Sequence, residues 1–163
     1  MSQKIAPLSL WHPAVILSTW FWSGLSPKAP GTVGSLAALP FGILIFHYLG
    51  APALGVASLI AFGVGWWSTK IYLERTGKTD PGEVVIDEVA GIWLALHAAA
   101  LTPVMILVTF LLFRLLDIWK PWPIGWLDLK VKGAFGVMID DYVAGLIAAV
   151  LIVIIKRVYD GNF

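Results

Sequence analysis

The chain has 163 residues, of which 59% are hydrophobic and 13% charged, with nine tryptophans, no cysteine, a mean hydropathy of +0.86 and a formal net charge of +1. Soluble domains carry about 25% charge, a single small domain cannot hide this much apolar surface, and disorder needs the opposite imbalance. An all-α integral membrane protein remains; near-neutral charge argues against nucleic acid, and the lack of cysteine excludes disulfides, thiolate metal sites and cysteine nucleophiles.

The first ten residues hold one lysine, Lys4, and no small-residue cleavage site follows their apolar stretch, so no removable signal peptide is expected. Residues 8–22 are short for a span and contain Trp11, Trp20 and Trp22. They fit an interfacial helix, a tilted span or a re-entrant piece equally well. The next stretch, from Ser23 to Ser35, is rich in small residues, and Thr32 is expected to cap the helix that follows. Helix N-termini after Gly-rich loops bind phosphate, although the spacing here is not that of a Walker A loop.

A membrane span needs about 20 largely apolar residues. Residues 33–49, 51–68, 84–101, 103–119 and 139–155 approach that length, each bounded by Gly or Pro turn chemistry. The expected architecture is a single compact multi-helix membrane bundle over residues 1–163: about five spans plus the N-terminal piece. The connections at Gly50 and at Thr102 are so short that their flanking helices must be antiparallel neighbours.

Threading the chain this way gathers Lys28, Lys70, Arg75, Lys78, Lys130 and Lys132 on one side, with Arg114 and Lys120 near a helix end. Lys156 and Arg157 fall on the other, in a C-terminal tail of residues 156–163. The positive-inside bias makes the first side cytoplasmic. The same threading brings Asp87, Glu88, Asp117, Asp140 and Asp141 to that side, at the ends of three different helices. A carboxylate in hydrocarbon costs about 2.5 to 3.5 kcal/mol unless paired or hydrated. One acid per helix would be an ordinary first-turn residue; paired acids on two helices, with a third on another, exceed that explanation.

The segments Asp87-Glu88-Val89-Ala90-Gly91 and Asp141-Tyr142-Val143-Ala144-Gly145 echo each other. In each, a carboxylate stands four residues before a glycine and on the same helix face. Small residues let helices in bilayers approach closely, so the two helices are expected to press together at Gly91 and Gly145. Asp87 and Asp141 then oppose one another, with Glu88 and Asp140 extending the acidic surface. Carboxylates so close repel unless a cation intervenes, and an all-oxygen set without Cys or nearby His favours Mg2+ over Zn2+. Arg114, Asp117 and Lys120 share one arc of their helix. They read either as an intrahelical pair with a lysine snorkelling among Trp119 and Trp122 or as a phosphate clamp beside the acids.

Gly24-Leu25-Ser26-Pro27, Pro30-Gly31-Thr32, Gly34-Ser35-Leu36-Ala37-Ala38, Asp87-Glu88, Arg114 with Leu116-Asp117, Trp119-Lys120-Pro121-Trp122-Pro123, and Ile139-Asp140-Asp141 with Ala144-Gly145 together resemble the bacterial phosphatidylglycerophosphatase A family. These motifs run from about residue 23 to 145. The resemblance implies a Mg2+-dependent phosphatase of the inner membrane, active site facing the cytoplasm. It would convert the lipid phosphatidylglycerophosphate to phosphatidylglycerol and inorganic phosphate. Its implied site has Asp87, Glu88, Asp140 and Asp141 holding one or two Mg2+ ions. Asp117 serves as ligand or general base, with Asp141 and Lys120 also in the catalytic set. Lys120 and Arg114 bind phosphate oxygens, and Thr32 and Ser35 complete the phosphate cradle. A lipid headgroup phosphotransferase and a small ion transporter are the competing readings, and a homo-oligomer is left open.

Overall fold

A computed structural model describes residues 8–159. The expectations for a leader in residues 1–7 and for the tail beyond 159 fall outside the described residues. Among those described there are seven α-helices and no strand: α1 (Pro13–Ser18), α2 (Pro30–Leu49), α3 (Ala51–Thr76), α4 (Ile86–Leu96), α5 (Pro103–Trp119), α6 (Ile124–Lys130) and α7 (Gly133–Tyr159).

All five apolar runs fold as helices, with shifted ends. Pro30 occupies the first turn of α2, where its fixed φ suits a helix start and its missing N–H costs nothing. The cap is therefore Ala29, in the left-handed region at φ 46°, without a side-chain bond. Thr32 lies inside the first turn and is not the expected cap. Thr102 does cap α5, accepting a 3.2 Å bond from the Met105 N–H ahead of Pro103. Gly50 joins α2 to α3 as a tight antiparallel hinge. α3 continues past Ser68 until Gly77 closes it in a left-handed stop. α7 begins at Gly133, six residues before the apolar run that announced it.

Three helices are long and apolar enough to cross a membrane: Pro30–Leu49, Ala51–Thr76 and Gly133–Val158. α4 has 11 residues, about 16 Å at 1.5 Å per residue, and relies on the turn at residues 97–102 to hand over to α5. It is short because it is central. Ten of its eleven residues are buried, packed among α2, α3, α5 and α7. It answers to neighbouring helices, not to lipid.

Residues 8–22 form no span. α1 is six residues long, and Trp20, Phe21 and Trp22 follow it at positive φ. Trp20 packs edge-on against Trp93 of α4 and Phe41 of α2, at 5.4 and 5.5 Å between ring centroids. Trp22 Nε1 donates to the Leu10 carbonyl at 2.9 Å and closes the loop on itself. Leu8 and Leu10 lie beside Tyr72 and Thr76 at one end of α3, whereas Trp20 lies beside Ala57 and Ala61. The segment dips into the bundle and returns, which is the re-entrant form of the three.

Candidate active site

α4 and α7 cross where neither has a side chain. A Cβ on Gly145 would stand 2.3 Å from the Gly91 carbonyl oxygen, and one on Gly91 would stand 2.6 Å from the Asp141 carbonyl oxygen. The helices touch backbone to backbone, as the repeated Val-Ala-Gly predicts. One turn earlier on each helix, Asp87, Glu88 and Asp141 place carboxylate oxygens within 4.8 Å of one another, all three side chains buried.

The surroundings supply too little positive charge. Five buried carboxylates, Asp87, Glu88, Asp117, Asp140 and Asp141, face two cations, Arg114 and Lys120. That leaves a formal charge of minus three. Arg114 Nη1 lies 3.4 Å from Glu88 Oε1 and 2.5 Å from Asp117 Oδ2, bridging α4 and α5. Lys120 Nζ lies 2.7 Å from Asp140 Oδ2 on α7 and 2.9 Å from Asp128 Oδ1 on α6. Glu88 Oε2 and Asp140 Oδ1 are buried with no hydrogen-bond partner among the described residues. Converging oxygens, excess negative charge and orphaned acceptors are what a hard divalent cation requires, so the residues present fit Mg2+.

These groups open into a cavity of about 180 Å³ lined by Asp87, Glu88, Asp117, Lys120, Asp140 and Asp141. Its outer wall is the loop from Thr79 to Gly82, with Asp128 and Lys132. Glu83 anchors that loop: it pairs with Lys78 and accepts a 2.9 Å bond from the Tyr72 hydroxyl. Burial alone would raise the Glu83 carboxyl, but its bonds to Lys78, its own backbone and Tyr72 hold it below the ordinary value. Burial would likewise lower the Lys120 ammonium, yet its bonds to Asp140 and Asp128 raise it above the ordinary lysine value. Lys120 is a cation at any physiological pH.

The sequence-derived residues thus divide. Asp87, Glu88 and Asp141 form the tight cluster, while Asp140 is drawn aside by Lys120. Asp117 and Lys120 line the cavity; Arg114, Thr32 and Ser35 do not. Arg114 stands behind the acids and neutralises them. α2 still reaches the site through Gly31, where a Cβ would stand 1.9 Å from Glu88 Oε1. Ser35 is fully buried, its hydroxyl without a partner among the described residues. Sequence reasoning missed Asp128 and the Thr79–Gly82 wall, because both lie in the connections between apolar runs, at residues 120–138 and 69–83, where no periodicity singles out a residue. Ile124 and Asp128, four apart between Pro123 and Gly133, were the available sign of a short helix with an inward face.

The sequence profile of the family described as phosphatidylglycerophosphatase A matches residues 16–156. Two curated relatives bear that name. The Escherichia coli K12 protein is 41% identical over 140 residues, covering 85% of this chain and 79% of that protein. The Haemophilus influenzae protein is 36% identical over 156 residues, covering 95% and 96%. A Bacteroides thetaiotaomicron relative, 36% identical over 152 residues and covering 88% and 94%, carries a provisional name as a phosphatidylinositol-3-phosphatase. No solved structure gives a significant match. A profile covering nearly the whole chain, and full-length relatives at these identities, place it: this protein belongs to the phosphatidylglycerophosphatase A family.

Proposed function

We infer that the chain is a membrane-embedded phosphoric monoester hydrolase, releasing inorganic phosphate from phosphatidylglycerophosphate to leave phosphatidylglycerol. The observation that carries this reading is the convergence of Asp87, Glu88 and Asp141 beside a lysine-bearing cavity at one end of the bundle. That is the depth at which a lipid headgroup offers its phosphate. The distribution of lysine and arginine favours that end as cytoplasmic, and so the inner leaflet of the inner membrane as the source of substrate.

Asp87, Glu88 and Asp141 are the ligands proposed for Mg2+, with the orphaned Asp140 Oδ1 within the same acidic group. Bound there, Mg2+ would polarise the phosphoryl oxygens and lower the barrier to attack by water. The protein's own groups do the rest. Lys120 binds a non-bridging oxygen of the terminal phosphate and stabilises the charge that accumulates there. Arg114 pairs with the Asp117 carboxylate and fixes its orientation for the role of general base. Asp117 lines the cavity and accepts a proton from water as the new P–O bond forms and the glycerol P–O bond breaks. Asp117 then gives that proton up to the glycerol oxygen as phosphatidylglycerol leaves, which restores its carboxylate.

Phosphate release from phosphatidylglycerophosphate and from phosphatidate, with Mg2+ and with EDTA, tests this. The expected result is Mg2+-dependent release with water as the only acceptor. Release only with an added alcohol would make the protein a phosphotransferase, and cation flux in liposomes without hydrolysis would make it a transporter.

A further inference from the structure

We propose that Asp128 of α6 is a positioning residue for Lys120, holding its ammonium across the cavity so that one N–H faces the substrate phosphate. The proposal rests on the phosphatase reading above. Lys120 takes a left-handed conformation, φ 48°, where α5 ends, so its side chain leaves the helix axis and reaches over the cavity. There it meets two carboxylates from different helices, Asp140 of α7 at 2.7 Å and Asp128 of α6 at 2.9 Å. An ammonium has three N–H donors. Two are used by these acids and the third is free for a phosphate oxygen.

The two acids differ in a way that makes Asp128 the deciding one. Asp140 is buried, and its second oxygen lacks a partner among the described residues. With Asp128 removed, Asp140 alone orients Lys120, and the ammonium shifts toward that under-satisfied acid on one side of the cavity. Asp128, at the cavity wall, supplies the opposing pull. α6 is built to hold it there. Ile124 is fully buried and sits four residues before Asp128, on the same face. Gly125 packs so closely on the turn that a Cβ would stand 2.6 Å from the Lys120 carbonyl oxygen. Trp122, Trp126 and Leu129 point outward, 83%, 52% and 70% exposed. The helix docks on the backbone of the very residue that its acid orients.

Turnover on phosphatidylglycerophosphate in mixed micelles decides the matter. Asp128→Ala is expected to lower kcat about 10- to 100-fold with KM nearly unchanged, because the misplaced cation is needed most as charge develops. In a Lys120→Ala background the same change is expected to cost less than about twofold, since residues acting as one unit are not additive. Asp128→Glu, which keeps a carboxylate on the same helix face, restores most of the rate. If Asp128→Ala fails to fold, Asp128→Asn replaces it, with a smaller loss in the same direction. Wild-type kcat in either variant, or an equal loss with and without Lys120, overturns the proposal. Absence of phosphate release by the wild-type protein would instead overturn the phosphatase reading.

Discussion

At the scale of single residues the site is an unbalanced charge cluster, and its two consequences pull apart. Asp87 and Asp141 are proposed metal ligands, yet they repel when no cation is bound. Asp87→Asn and Asp141→Asn are each expected to reduce Mg2+-dependent phosphate release by about 10³-fold or more while leaving helical content by circular dichroism unchanged. In EDTA, the Asp141→Asn protein should be the more stable one. Relief of about 1 kcal/mol raises the midpoint of thermal unfolding by about 2–4 °C at this size. Glu83 gives the pH signature of the outer wall. Its carboxyl is held below the ordinary value of 4.5, so the stability it contributes is present above that value and is lost as pH falls through its lower folded value. The difference in midpoint between wild type and Glu83→Gln should therefore be full at pH 7 and vanish on acidification well below pH 4.5. The acids themselves were legible in the sequence because ionisable residues in apolar runs are rare and conspicuous. Their division of labour was not, because Asp140 and Asp141 are adjacent letters whose side chains point about 100° apart around α7.

At the scale of elements, the crossing of α4 and α7 sets the distance between the acids. Backbone contact at Gly91 and Gly145 leaves no room for a methyl group, the nearest atoms being carbonyl oxygens that cannot rotate away. Gly145→Ala is expected to destabilise the fold by about 1–3 kcal/mol, as overpacking does, and to depress turnover by spreading Asp87 from Asp141. Unfolding in detergent and phosphate release from the same preparation measure both. This contact was readable in advance from two glycines one turn beyond two aspartates. α6 was not. Seven residues between Pro123 and Val131 carry too little periodicity to separate a helix from a loop, and only docking against α7 and the Lys120 turn makes them one. The N-terminal stretch was equally ambiguous, and it was decided by the pocket that Phe41 and Trp93 offer to Trp20.

At the scale of the whole molecule, the site lies level with Gly31 at the start of α2, Gly65 within α3, Asp117 near the end of α5 and Asp141 within α7. From Asp141, α7 runs 18 further residues to Tyr159, about 27 Å, close to the thickness of a bilayer core. On the other side, the Thr79–Gly82 loop, Asp128 of α6 and the start of α7 form a roof over the cavity. Exposed Trp66, Trp67, Trp119, Trp122 and Trp126 lie toward this end, as interfacial anchors do. Tryptophan fluorescence quenching by lipids brominated at different depths is expected to be strongest for shallow labels. Uniform quenching along the acyl chain would contradict this placement.

What the sequence determined by itself was the solvent and the chemistry. Composition points to a bilayer, apolar runs fold as helices, and paired acids at one end of them mark the proposed cation site, because each follows from local free energies of transfer. What only the tertiary structure decided was which groups work together. Arg114 turned inward to the acids, Thr32 and Ser35 stayed off the cavity, and Asp128, unmarked in the sequence, came to share Lys120 with Asp140. Such partnerships depend on helix rotation and on where short elements dock, and those are settled by packing between segments far apart in the chain.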